Sequence, residues 1–161
     1  MSMADEYTAW KASQARPWAE NVRRTVVRLK QREAALEELA ERYDCLQGVS
    51  YDRDGSGGAA TDGAMATFIA EADELRAQWS EALVAWRDEV DAFERALRRI
   101  DGRYDALLTA RYVRDLPWSD VAGAIGYAET YVRGDMLTAA LAELFDAMPP
   151  HLRAIPSAYL D

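Results

Sequence analysis

The chain has 161 residues, half of them apolar and 29% charged, and its 28 acidic against 19 basic side chains give a formal net charge of −9. That composition excludes a disordered chain, and the length suffices for one real core or a small domain plus an extended element. No run approaches ~18 apolar residues, as a membrane span requires; the start, MSMADEYTAWKAS, lacks the basic and apolar stretches of a secretory signal; and a single cysteine, Cys45, excludes an internal disulfide framework and fits a reducing, cytoplasmic setting.

The first long segment, Asp5 to Leu46, places Val22, Val26, Leu29, Leu36, Tyr43 and Leu46 on three-four spacing, with Leu39 widening the stripe. Glu33 and Ala40 fill the remaining seam positions, and Pro17 marks either a fresh helix start or a kink. Gly48 to Gly63, GVSYDRDGSGGAATDG, has five glycines and no apolar periodicity, so a loop is expected over residues 47–63. From Ala64 to Ile100 the rhythm returns through Met65, Phe68, Ala72, Leu75, Trp79, Ala82, Trp86, Phe93, Leu97 and Ile100. A helix of that length, about 50 Å at about 1.5 Å per residue, cannot bury its stripe alone. Folding back on the first segment gives an antiparallel hairpin, and a second copy of the chain is the next candidate partner.

Asp101-Gly102 marks a break, after which a helix runs through Val113 and a short turn spans Arg114 to Pro117. A small helix is expected from Trp118 to Ile125, with Ser119 and Asp120 in its first turn. Gly126 and Tyr127 form a tight turn, and a last helix from Glu129 to Met148 ends at Pro149-Pro150. Val121-Ala122, Gly126 and Val132 carry the spacing of a helix-turn-helix: a small residue for close crossing, a glycine for a left-handed turn, and a valine closing the core. The expected fold is therefore all-α. A long, coiled-coil-like antiparallel helical hairpin over residues 1–100 serves dimerisation or docking, a helix-turn-helix domain occupies 101–148, and a tail follows over 149–161.

The stretch LLTARYVRDLPWSDVAGAIGYAETYVRGDMLTAAL resembles the C-terminal region of phage-encoded late-gene transcription regulators of the ArpU and RinA kind, which in turn look like region 4 of sigma factors. The matching positions are Arg111-Tyr112-Val113, Trp118, Val121-Ala122, Gly126-Tyr127 and Ala140-Leu141, and GVSYD at Gly48 to Asp52 is similar to a loop between two helices in this group. The resemblance covers the last third well and the rest loosely. It implies a DNA-binding regulator whose last helix enters the major groove. Ala128, Glu129, Thr130 and Arg133 would then face base edges, with Arg133 the best direct reader and Tyr131 beside them. Ser119, Arg111 and Arg114 would hold phosphates.

Charge runs against that expectation. Residues 101–161 carry five basic and nine acidic groups, where a DNA-binding head ordinarily gathers Lys and Arg. Gly134, Asp135 and Thr138 also stand where sigma-like recognition helices carry basic residues. A dimer would double the few contacts. The alternative is an acidic helical adaptor that uses the same motif to dock on RNA polymerase or another phage protein, without DNA affinity.

Other candidates are weaker. Asp52, Asp54, Ser56 and Gly57 mimic the start of a calcium loop, but the position of its bidentate glutamate is Gly63, which favours a plain acidic turn. Trp79 and Trp86 belong to the apolar stripe, Trp118 to the C-terminal core, and Trp10 and Trp18 to a contact surface. A lone His151 and an isolated Cys45 give little support for a metal or a nucleophile, and no motif of an enzyme or cofactor site is present.

Overall fold

A computed structural model describes residues 2–51 and 58–153. The fold is all-helical, with no strand among the described residues, and no helix there is long and apolar enough to cross a membrane. Helix α1 (Met3–Tyr51) has 49 residues and α2 (Gly58–Leu97) has 40. Both run further into the glycine-rich stretch than expected over 47–63. Ala59, Ala60, Ala64 and Ala66 are strong helix formers and outweigh the glycines among them. The calcium-like Asp52, Asp54, Ser56 and Gly57 lie outside the described residues. Pro17 sits inside α1, exposed, and starts no new helix.

The chain divides into two compact units, one of residues 1–26 with 86–161 and one of residues 27–85. The unit holding the C-terminal helices is thus larger than the expected 101–148, because it takes in the start of α1 and the end of α2.

In that larger unit, Val22, Phe93, Leu97, Leu107, Tyr112 and Leu141 are among the fully buried side chains. Trp18 meets Phe93 edge to face at 5.3 Å, Phe93 meets Tyr112 at 6.5 Å, and Trp10 meets Phe145 at 5.3 Å. Edge-to-face pairs of this kind add about 0.5–1.5 kcal/mol each beyond the area they bury. Trp18 is therefore a core residue, 8% exposed, and not part of a contact surface.

The C-terminal elements follow from local signals. The Asp101 carboxylate accepts from Arg103 N at 2.9 Å and caps α3 (Gly102–Leu108), while Glu143 accepts from Asp101 N at 2.9 Å. A π turn, Thr109–Val113, continues α3. Next come α4 (Trp118–Ile125), α5 (Glu129–Tyr131), a second π turn at Val132–Met136, and α6 (Leu137–Ala147). Met148 turns to extended backbone before Pro149, and a 3-10 turn spans Pro150–Leu152.

The 27–85 unit is sparser. Leu29, Leu39, Ala72 and Ala82 are buried, Tyr43 lies 5.1 Å from Phe68, and Arg42 pairs with Glu71 at 2.7 Å. Ile69, at the margin of the apolar stripe, stays 52% exposed, and Val84, on the other side of α2, is 59% exposed. The Arg42–Glu71 pair is itself exposed, where such bridges contribute about 0–1 kcal/mol.

Candidate functional site

The site is built around Gly126. Pro117 adopts extended backbone ahead of α4, with the φ its ring already prefers, and Asp120 stands in the first turn. Gly126 ends α4 in the left-handed region, φ 87°, and donates its N–H to Ala122 O at 2.9 Å. No Cβ clash forces glycine there; the backbone angle does. The chain then re-enters helix at Glu129. Val121 and Val132 are 0% exposed and Ala122 is 6%, and all three belong to the core shared with α3 and α6. The opposite side of the second helix, Glu129, Thr130, Tyr131, Arg133, Gly134 and Asp135, is exposed.

Glu129, Thr130, Arg133 and Gly134 line one shallow hollow. Arg133 reaches back to Glu129 at 3.6 Å, one helical turn away, so its charge is partly offset. Tyr131 packs its ring 5.5 Å from Tyr127, and both rings are nearly half exposed. The Tyr127 phenol and the Asp101 carboxylate hold the Arg103 guanidinium above its ordinary pKa. Ser119 is exposed in the first turn of α4, and Arg114 is exposed in the turn before it.

Arg111 stands differently from the other site residues. Its guanidinium donates to Leu116 O at 3.1 Å and lies 4.6 Å over the Trp118 ring. Burial, and then the nearby Arg23, pull its pKa below the ordinary arginine value. Its first task is to hold the turn before α4, which a neutral side chain of the same length would do less well. Arg133 lies 5.8 Å from the same Trp118 ring. Trp118 is half-buried and packs against the core of this unit, with both guanidinium groups near its ring.

Two residues of this unit, Arg23 and Asp115, are not legible from the sequence as partners. Arg23 Nε donates to the Asp115 carboxylate at 2.7 Å, tying α1 to the α3–α4 turn. Asp115 takes a left-handed φ of 54°, rare for a residue with a side chain. The only local hint was an aspartate in a short turn, a residue type that tolerates this region.

Among the described residues no group of three or more His, Cys, Asp or Glu side chains is placed to hold a metal ion. Cys45 is exposed on α1, and His151 is exposed in the last 3-10 turn. No protein-family model matches the chain, and comparison with curated proteins and with solved structures finds no match.

Proposed function

We propose that this chain is a non-enzymatic, phage-type transcription regulator of the reducing cytoplasm that binds double-stranded DNA through α4 to α6 as a helix-turn-helix. One arrangement carries the reading: a left-handed Gly126 between two helices whose facing sides are buried at Val121, Ala122 and Val132, with Glu129 to Arg133 open to solvent. In such a unit the second helix lies in the major groove, and its first turns reach base edges. Arg133 grips guanine through two hydrogen bonds, worth about 1–3 kcal/mol of discrimination. Thr130 and Tyr131 flank it, and Ser119 and Arg114 hold phosphates. Arg111 contributes by fixing Trp118 and the start of α4.

The long helices serve this head as an antiparallel, coiled-coil-like hairpin. The pairings of Tyr43 with Phe68 and of Arg42 with Glu71 support that reading within the 27–85 unit. Exposed Ile69 and Val84 favour a homodimer through these helices, which would set two heads on one duplex. RNA polymerase is the natural protein partner of a head of this kind.

A gel-shift titration of the full chain against duplex fragments of the promoters next to its own gene tests the reading. A shift at low salt that Arg133→Ala abolishes is expected; no shift with any fragment removes DNA binding from the account. The second reading, an acidic adaptor, is favoured by the Glu129–Arg133 pair, by exposed Asp135 beside it, and by the exposed Tyr127–Tyr131 pair. It predicts a co-purifying protein whose contact survives Arg133→Ala.

A further inference from the structure

Residues 101–161 carry nine acidic against five basic groups, so these C-terminal helices alone are poorly charged for a polyanion. The compact unit that contains them also contains the start of α1, and the segment from Arg16 to Arg24 holds three arginines, Arg16, Arg23 and Arg24, against one acid, Glu20. Arg16 and Arg23 are seven apart, two helical turns, and so share one side of α1. Burial and Glu20 raise the pKa of the Tyr112 phenol, and Arg16, Arg111 and Arg23 each oppose that rise. Arg23 is anchored by Asp115 at 2.7 Å, Arg111 sits 4.6 Å over Trp118, and Arg133 lies 5.8 Å from the same ring. Arg23, Arg111 and Arg133 therefore gather about the turn before α4 and the Trp118 ring, with Arg16 two turns before Arg23 on the same side of α1. Of the acids among them, Asp115 is bonded to Arg23, Glu129 is paired with Arg133, and Glu20 stands between Arg16 and Arg23 on α1.

The geometry points to a second DNA-contacting surface, in which Arg16 and Arg23 of α1 bind the sugar–phosphate backbone beside the groove that α5 enters. The inference rests on the DNA reading above and adds to it the source of the missing positive charge. Guanidinium suits the task, because it is weakly hydrated and pairs with phosphate oxygens through two parallel hydrogen bonds. Contacts of this kind carry no sequence information; they fix register and orientation and supply salt-dependent affinity.

The test is the salt dependence of binding, followed by fluorescence anisotropy of the full chain on a labelled random-sequence duplex. Each phosphate contact contributes about 0.9 to the slope of log affinity against log salt. Arg16→Gln, at an exposed position, should make the slope shallower by about 0.9 while the melting temperature stays unchanged. Arg16→Lys should keep the wild-type slope, and Glu20→Gln should tighten binding at low salt by removing the acid between the two arginines. An unchanged slope in Arg16→Gln overturns this surface and leaves Arg133-dependent binding standing. Failure of the wild-type chain to bind any duplex overturns both.

Discussion

Arg23 and Asp115 stand 92 residues apart in sequence and meet at 2.7 Å, with Asp115 held at φ 54°. Two effects are joined at one residue and can be separated by substitution. Asp115→Ala loses a partly buried ion pair, about 1 kcal/mol, and keeps a β-carbon in the left-handed region. Asp115→Gly loses the same pair and relieves a backbone cost of about 1–2 kcal/mol. In urea denaturation the glycine variant should therefore be the more stable of the two by about 1 kcal/mol. Equal midpoints would mean that the backbone at this turn carries no such cost.

Gly126 and Gly134 make a second contrast, since a β-carbon at either meets nothing within 4 Å and only backbone conformation differs. At Gly126 φ is 87°, so Gly126→Ala should destabilise by about 1 kcal/mol or more. Gly134 lies in the π turn within the last helix, so Gly134→Ala should stabilise by up to about 1 kcal/mol. Thermal melts of the two variants should move in opposite directions.

The helices on either side of Gly126 were legible because their signals are local: a proline before Trp118, a glycine after Ile125, and Pro149 at the far end. The burial of Val22 and Val26 was legible too, but not what buries them. Both belong to the three-four stripe expected to line a long hairpin, yet they lie at 0% and 4% exposure in the core of the unit that holds the C-terminal helices. Apolar periodicity says that a face is covered and leaves its partner open. Glu33 shows the limit of the strict seven-residue reading: an ideal helix drifts about 20° per heptad, and this seam position is exposed. Within the site, Arg133 and Glu129 stand where the spacing places them, on the open face. The Arg16–Arg23 side of α1 left no trace in the sequence near residue 111, because contacts between distant segments have no local pattern.

The Glu129–Arg133 pair makes a prediction of opposite sign for stability and for binding. It contributes about 0.3–0.5 kcal/mol to the helix, as exposed pairs one turn apart do. Glu129→Gln should cost no more than that, yet release Arg133 and remove a charge that repels phosphate. Duplex affinity should rise severalfold at low salt, and the gain should fade near 1 M salt, where screening acts within about 3 Å. Weaker binding by Glu129→Gln would instead identify the carboxylate as a base reader, accepting from cytosine N4.

Tyr112 sets the alkaline behaviour. Its ring is 1% exposed, and burial, followed by Glu20, pushes its phenol above the ordinary value of 10.0, against the opposing pull of Arg16, Arg111 and Arg23. An unfolded chain ionises this group near the ordinary value, about pH 10. Between that pH and the higher native pKa the native state holds more protons than the unfolded state, so stability falls as pH rises; well below pH ~10 the group contributes no slope. Tyr112→Phe should flatten the decline above about pH 10 while leaving the curve near neutral pH parallel to the wild type. Urea midpoints across that range provide the measurement. An equally steep decline in the phenylalanine variant would assign the alkaline transition to some other group.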